Sequence, residues 1–440
     1  MLDICEFALS RAKLLGADEV EIYAESNRTI RITIQNNSID LARSDVNEGI
    51  GIRAFKRCGL GYASCNSLLE KDVVIAVDGA TSLASAAPRD PGNYLPAPKK
   101  VEKLNIFDPG SETFSIENGI EFAVRLLESA RKDERVSIES GGFNAVIKKR
   151  AIVTSKCTEE KESSNYFVYY LMGMAREGDI VSSFDVEFDA TRWLKEIDVE
   201  KIGGSLADKV LASLGAEKGE SFKGSILLSP DAVNSLVIRP LIFALNANNM
   251  QKGMSRFTGK LGSSVASGIF TLIDDGTLEG GIGTEGFDRE GMPHSRLSLI
   301  ENGILSSFMY NAYTANRERR DTTGHARGGT RGVPGIGPTN MIIPPGDKAK
   351  DDIIGEIKKG VVVTRFSGFP NPISGDFSGV VKGGFLVENG RVTKPLLGTL
   401  ISGNVYKGLK NVSAISKETK KLANLVLPYI RIENVSVTSR

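Results

Sequence analysis

The sequence predicts an α+β protein in two parts, an N-terminal α/β domain with an antiparallel sheet and a C-terminal β-rich domain with few helices. Short segments of apolar–polar alternation, typical of half-buried strands, recur along the chain. Clear helical stripes lie almost all before residue 215, whereas glycine, at 47 of 440 residues, is dense after residue 276. We place the domains at 1–220 and 221–440.

The first domain alternates helices with strands. Asp198 and Gly215 are the N-terminal cap and the C-terminal stop of its clearest helix. A turn at Cys58–Gly59 joins two strands as a hairpin, and the segment 90–100, with three prolines, is a linker. The predicted order is helix 2–15, strands 20–24, 30–34, 50–54 and 60–64, helix 70–87, helix 115–132, strands near 143–154, 165–176 and 180–189, and helix 198–214.

The second domain begins with a short strand at 226–228 and a helix capped by Ser229, with Pro230 at its first position. Pro240 is expected to kink or split this helix near Arg239. Beyond residue 255 the pattern is mainly strand and turn, and only 350–359 is convincingly helical.

The composition favours a soluble cytoplasmic protein. Lysine and arginine total 55 against 54 aspartates and glutamates, which gives no electrostatic argument for nucleic acid or an anionic membrane. The N-terminus lacks the apolar run of a signal peptide, and no apolar stretch is long enough to span a membrane. Four cysteines in so long a chain fit a reducing compartment.

Polar residues crowd the glycine-rich loops after residue 270. A candidate polar site comprises Asp274, Asp275, Asp288, His294 and His325. A solvated loop, or a loop that uses Asx turns, is the simpler interpretation of the acidic residues, since their spacing matches no calcium loop. Neither histidine belongs to an H-E-x-x-H motif, and for His325 a surface loop is the simpler interpretation. The G-x-G-x-x-G at 281–286 precedes a turn-like segment rather than a helix, so it does not predict a dinucleotide site.

Three apolar segments near the C-terminus suggest a binding role without catalysis. A sheet built from 361–367, 380–387 and 395–401 would accept an extended peptide by strand addition if one edge were open. The alternative, that every edge is paired or covered in the fold, stays open.

The ordered motifs of the chain resemble the TldD/PmbA family along nearly its whole length, with both domains of TldD/PmbA type. The match combines several segments in a fixed order, which is more specific than any one of them: GADEVEIYAE (16–25), GIGIRAF (49–55), GLGYAS (59–64), SRFTGKLGSSVAS (255–267), LIDDGT (272–277), FDREGMP (287–293), LIENGIL (299–305), PTNMIIPPGD (338–347) and ISGNV (401–405).

The resemblance places the chain in the PmbA branch, also called TldE. The TldD branch resembles a zinc metalloprotease with an H-E-x-x-x-H helix and a distant cysteine ligand. The family's spacing puts Ile238, Arg239 and Phe243 at the His, Glu and His positions, and no cysteine follows Cys157. No family catalytic residue or metal ligand therefore carries over to this chain.

The resemblance implies a cofactor-free subunit of a TldD–TldE heterodimer. Zinc is expected in the TldD-like partner, which would cut unfolded or extended peptides in peptide maturation or degradation. Two alternatives remain. One is a stand-alone homodimeric peptide-binding or scaffold protein without proteolysis, and the other is an enzyme that uses the polar loop residues.

Overall fold

The computed structural model describes residues 1–439 and contains two large sheets. The first is wholly antiparallel, with the order β3-β2-β1-β4-β5 and both β6 and β7 on the outer edge of β5. Its strands are β1 (Glu19–Gln35), β2 (Ser38–Lys56), β3 (Gly59–Cys65), β4 (Val136–Thr154), β5 (Glu159–Glu177), β6 (Ile180–Val181) and β7 (Asp185–Thr191). Its helices are α1 (Leu2–Leu14), α2 (Glu70–Ala86), α3 (Ile116–Ala130) and α4 (Val199–Ala212).

The four helices cover one face of this sheet in two pairs, each over its own apolar core. Val20, Ile22 and Ala24 of β1 pack beneath α1 and α2. Ile30 and Ile32 of the same strand pack beneath α3 and α4. The prediction of separate strands at 20–24 and 30–34 is therefore wrong, because one long strand passes the gap between the helix pairs and is polar there.

The four helices form within two residues of their predicted bounds, but the strand predicted at 50–54 is the end of the longer β2, and the strand predicted near 180–189 is divided into β6 and β7. The β2–β3 hairpin is confirmed, but its two turn residues are Arg57 and Cys58, both with positive φ, one residue earlier than predicted. Asp198 caps α4 by accepting a hydrogen bond from the backbone N–H of Lys201 at 3.0 Å. The segment between α2 and α3 runs along the second half, where the Tyr313 hydroxyl donates to Asp90 at 2.9 Å.

The second sheet is mixed and has twelve strands, in the order β12-β11-β10-β15-β21-β9-β16-β17-β18-β8, with β19 and β20 paired to it as well. The strands of the second half are β8 (Glu217–Lys218), β9 (Phe222–Leu228), β10 (Leu272–Asp275), β11 (Arg296–Glu301), β12 (Ile304–Leu305), β13 (Ala326–Arg327), β14 (Gly335–Ile336), β15 (Met341–Ile342), β16 (Lys359–Ser367), β17 (Asp376–Glu388), β18 (Arg391–Leu397), β19 (Thr399–Asn404), β20 (Val412–Leu422) and β21 (Leu425–Ser439).

The helices of the second half are short, each of four to six residues. They are α5 (Pro230–Val233), α6 (Arg239–Ala244), α7 (Ala247–Gln251), α8 (Ala312–Arg317), α9 (Lys350–Gly355) and α10 (Val405–Lys410). The predicted helix at 350–359 is shorter than expected, and α8 and α10 were not predicted. The α+β class, with a β-rich second half, is confirmed.

The segments proposed to accept a peptide by strand addition lie inside the second sheet. β16 pairs with β17 on one side and with β9 on the other. β17 pairs with β16 on one side and with β18 and β19 on the other. Open edges at 361–363 and 380–387 are therefore wrong, whereas residues 365–367 have a strand partner on one side only, in β17.

Candidate functional site

The helical stretch at the family's zinc-motif positions is built around Pro240. Ser229 caps α5, its side chain accepting from the backbone N–H of Ala232 at 3.3 Å. A π-helical turn, Asn234–Ile238, then precedes α6. Since proline offers no N–H and its ring crowds the carbonyl of Leu236, widening this turn lets the helix continue. The expected disturbance near Arg239 is thus a π-turn rather than a break.

The side chains at the three motif positions have no metal-binding chemistry. Ile238 is fully buried in the apolar core of the second half, beside Leu236 and Leu241. Phe243 is half-buried and Arg239 is exposed. An alkyl group, an aromatic ring and a guanidinium do not fit a zinc ion. Over residues 1–439, no three His, Cys, Asp or Glu side chains are grouped so as to hold a metal ion.

His325 and Asp274 of the candidate polar site form a fully buried contact. Nε2 of His325 lies 2.9 Å from Oδ2 of Asp274, and its Nδ1 lies 2.8 Å from the carbonyl oxygen of Thr323. The backbone N–H of Thr339 donates to Oδ1 of Asp274 at 2.8 Å, and the Thr339 hydroxyl donates to Oδ2. Both ring nitrogens have partners within the protein, so the interpretation of His325 as a surface histidine is wrong.

Asp288 organises the loop that follows. Its Oδ1 accepts from the backbone N–H groups of Glu290 at 2.8 Å and Met292 at 3.0 Å, and its Oδ2 accepts from Ala326 at 3.0 Å. Burial, with Glu290 beside it, raises the pKa of Asp288 to about 7. The hydrogen bonds from Glu290 to Asp288 and from Thr277 to Asp275 join residues two apart, as in Asx turns. Of the two interpretations of the acidic segment, the loop built on Asx turns is therefore confirmed, and the solvated loop is wrong for these buried aspartates.

This turn carries charges into the first domain, where we define the seam network as Glu21, Arg53, Arg289 and Glu290. Arg53 donates to Glu21 at 2.5 Å and to Glu290 at 2.8 Å, and Arg289 donates to Glu21 at 2.7 Å. The Arg289 guanidinium also lies 3.9 Å from the ring centroid of Tyr23. All four charged side chains are buried, so each depends on the others for its compensation.

A second buried cluster surrounds Glu285. Lys148, Arg150 and Arg327 approach its carboxylate at 3.3, 3.1 and 2.7 Å. Burial alone would raise the pKa of Glu285, but Arg150, Lys148 and Arg327 together hold that pKa below its usual range. Burial, reinforced by Arg327, lowers the pKa of His294 well below its ordinary value, so this ring is neutral at pH 7.

The five residues of the candidate site thus lie in one region without forming one reactive centre. Asp274 contacts His325, and Asp288 binds the backbone N–H of the next residue, Ala326. His294 approaches only Glu285, at 4.0 Å. Asp275 turns away to accept from Thr277 at 2.8 Å. Their hydrogen bonds and ion pairs all go to residues of the second half, so they stabilise its buried loops.

Sequence analysis missed the partners of these groups in the first domain. Glu21 and Arg53 stand between apolar residues of their strands and Arg150 follows two lysines, so all three look solvent-facing in the sequence. Arg192 is also buried, and its guanidinium donates to the carbonyls of Gly281 and Ile282 at 2.9 Å and of Thr284 at 2.6 Å. One feature of the sequence did indicate a buried charge: in GIGIRAF (49–55) the charged Arg53 is surrounded by glycine and apolar residues.

The face of the first sheet opposite its helices is only partly covered by this seam. The rest forms an open concavity of about 730 Å³, which we call the sheet cleft. Side-chain amides, hydroxyls and aromatic rings line it, among them Asn27, Thr29, Asn47, Asn144, Tyr166 and Tyr170. A lining with both donors and acceptors suits a ligand rich in amide groups.

Comparison with known proteins defines the class. Residues 221–439 match the model of the PmbA/TldA metallopeptidase C-terminal domain, and residues 20–84 match domain 1 of the same family. The chain belongs to the TldD/PmbA family, and within it to the PmbA (TldE) branch.

Individual relatives agree with this branch. The crystal structure of TldE from Thermococcus kodakarensis is 27% identical, covers 99% of this chain and 100% of that chain, and superposes with a TM-score of 0.92. Metalloprotease PmbA of Escherichia coli O157:H7 is 23% identical over 98% of this chain and 96% of the relative. An uncharacterized protein of Methanocaldococcus jannaschii is 26% identical over 94% of each chain. The chain is therefore a metallopeptidase-like protein of the PmbA/TldE type.

Residues 1–439 include no helix with the length and apolar character needed to cross a membrane.

Proposed function

We propose that this chain is the zinc-free subunit of a two-subunit metalloprotease, in which a TldD-like paralogue supplies the zinc and cuts unfolded or extended peptides. One observation carries the proposal. Within a family of metallopeptidases, the zinc-motif positions of this chain hold Ile238, Arg239 and Phe243, and the first of these is buried in apolar core. On this view the chain is cytoplasmic and inactive alone.

The sheet cleft supports a role in holding the peptide. An extended peptide presents an N–H and a C=O at every residue whatever its sequence. The amides of Asn47 and Asn144 offer both donors and acceptors to such groups, and Tyr166 and Tyr170 offer flat apolar surface with a polar tip. The polar loop residues take no part in this scheme, because they are buried within the second half.

The first test compares the purified chain, its TldD-like paralogue and an equimolar mixture for zinc content and cleavage of an unfolded peptide. We expect no zinc and no cleavage from the chain alone, and both in the mixture. A mixture whose paralogue lacks the motif glutamate is the matched control and is expected to be inactive. Stoichiometric zinc or cleavage in the chain alone would refute the proposal.

A cleft variant tests the holding role. Asn144→Ala removes one donor and one acceptor, so we expect peptide affinity to fall about two- to tenfold, the range of one or two hydrogen bonds. Asn411→Ala, an exposed asparagine outside the cleft, is the control and is expected to leave affinity unchanged. Equal affinities for both variants would remove the cleft from the proposal.

The open cleft also favours a second candidate function, a stand-alone peptide-binding or scaffold protein. The two functions differ in one outcome. If the chain binds unfolded peptide alone and the paralogue neither associates with it nor gains activity from it, the stand-alone function holds.

A further inference from the structure

One arginine in the sheet cleft has no charged partner. Arg31 lines the cleft and its side chain is exposed. The other charged residues of the lining are paired, since Glu25 and Lys148 lie 3.5 Å apart and Lys148 also approaches Glu285 at 3.3 Å. Within residues 1–439, the guanidinium of Arg31 has no carboxylate at ion-pair distance. In this range of the chain, Arg31 is therefore the uncompensated charge of the cleft.

The position of Arg31 in the sheet is electrostatically unfavourable. Its cross-strand neighbours are Arg43 on β2 and Asn144 on β4. Like charges directly opposite each other on neighbouring strands destabilise a sheet. Asp45, the diagonal neighbour on β2, does not compensate Arg31, because its carboxylate binds Arg43 at 2.9 Å. The sheet thus holds a guanidinium in the cleft beside a like charge, and a bound anion would offset that repulsion.

We propose that the sheet cleft binds an aspartate or glutamate side chain within an extended peptide, and that Arg31 is the residue that recognises it. A guanidinium presents N–H donors in a planar fork, which matches the two oxygens of a carboxylate. This selectivity rests on the proposed peptide-holding role of the cleft, and it names the class of peptide that the cleft prefers.

The lining around Arg31 favours a side chain over the end of a peptide. Along β1, Thr29 and Thr33 lie on either side of Arg31, and both line the cleft. Across the sheet, Asn144 of β4 and Val168 of β5 continue the lining. A peptide that ended at Arg31 would leave part of this lining empty, whereas a peptide that passes over Arg31 contacts it on both sides.

The small number of free cations argues against a polyanion at this site. Nucleic acids are bound by several lysines and arginines that neutralise successive phosphates. In the cleft, Lys148 is shared between Glu25 and Glu285, and Arg43 at its edge is bound to Asp45. A single free guanidinium among amides and hydroxyls suits one carboxylate on an otherwise neutral chain.

Calorimetric titration of the purified chain with short peptides tests this selectivity. The reference peptide is extended, neutral and blocked at both ends, with one central glutamine. A second peptide has glutamate at that position, and a third keeps the glutamine but has a free C-terminal carboxylate. We expect the glutamate peptide to bind about tenfold more tightly than the reference, and the free C-terminus to add at most about twofold.

Arg31→Gln should abolish the preference for glutamate and leave the affinity for the reference peptide within about twofold of that of the unmodified chain. Arg176→Gln is the matched control, because Arg176 is an exposed arginine of the same sheet, on β5, and lies outside the cleft. Within residues 1–439 it likewise has no ion pair. This control should keep the preference in full.

The outcomes separate this proposal from the peptide-holding role. If the reference peptide binds but glutamate gives no advantage, or if the advantage survives Arg31→Gln, the proposal is wrong and the holding role stands. A stronger effect of the free C-terminus than of glutamate would assign the site to chain ends and overturn the proposal as well. If no peptide binds, the holding role and the proposal fail together.

Thermal unfolding without peptide tests the unfavourable placement of Arg31 independently. Arg31→Glu replaces a like-charge cross-strand pair with an opposite-charge pair, so the Tm should rise by about 1 °C, and Arg31→Gln should give part of this rise. A Tm that falls in both variants would show that Arg31 stabilises the sheet, and would overturn the argument that its charge is kept for a ligand.

Discussion

Arg53→Met offers a direct test of how the two halves of this protein are held together. Arg53 binds Glu21 of its own sheet and Glu290 of the second half, and only 6% of its side chain is exposed. Burial opposes its charge, but Glu21 and Glu290 together raise the pKa of Arg53 above its ordinary value. Methionine keeps the apolar length of the side chain and removes the charge.

The expected cost follows from what the substitution leaves behind. Glu21 retains Arg289, but Glu290 keeps only the backbone N–H of Ala312, at 2.7 Å, in a buried position. Removing one partner of a buried ion pair costs about 3–5 kcal/mol, because the other charge stays uncompensated. Adding Glu290→Gln removes that charge and should recover about 1–2 kcal/mol of the loss.

The assay is urea denaturation followed by fluorescence of the single tryptophan, Trp193, and by far-UV circular dichroism. Arg125→Met is a matched control, since Arg125 also contacts two glutamates, Glu200 at 2.7 Å and Glu121 at 3.9 Å, and lies over a phenylalanine ring, but with 41% exposure. It should cost at most about 1 kcal/mol. Equal losses in the two variants would refute the argument that the seam network joins the halves.

Two further substitutions probe the loop that carries Glu290. Burial raises the pKa of Asp288 from 3.8 to about 7, so between these pH values the folded chain holds a proton that the unfolded chain releases. The stability that this proton contributes is therefore lost as pH rises from about 4 to about 7. Asp288→Asn should remove this part of the pH dependence of the unfolding free energy, whereas Asp351→Asn, at an exposed position, should not. Gly291 has φ +76°, and a Cβ added there would lie 2.6 Å from Thr158, so Gly291→Ala should lower stability by about 2–4 kcal/mol in thermal unfolding. Gly178 has φ +59° but lies in open space, so Gly178→Ala should cost only about 1 kcal/mol. A similar loss at both glycines would contradict the packing argument.

Local patterns determined much of the fold, because they depend on neighbouring residues. The period-two apolar positions of β1 and the cap of α4 at Asp198 could be identified for this reason. The continuity of β1 could not be identified in this way. Residues 25–29 are polar because they pass the gap between the two helix pairs, and the position of that gap depends on how the helices pack on the sheet.

The seam was beyond sequence reasoning for a similar reason. Glu21 and Arg289 are separated by 268 positions, and each alone resembles an ordinary surface charge. Their burial follows from the placement of a C-terminal turn on the uncovered face of the N-terminal sheet. The candidate residues after 270 are buried, and their side chains make contacts within the protein instead of forming an exposed site.

On the proposed function, the location of the seam bears on how a subunit of this family can fold without zinc ligands. The zinc-motif positions lie on α6 and the π-turn before it, where Ile238 packs into the core of the second half. The seam network and the sheet cleft use other elements, namely β1, β2, β4, β5 and the turn around Asp288. On the same view, an apolar side chain at position 238 adds to one core and leaves the joint between the halves and the cleft unchanged. On the proposed function, this separation lets the chain keep a surface for peptide while the cutting chemistry resides in a partner.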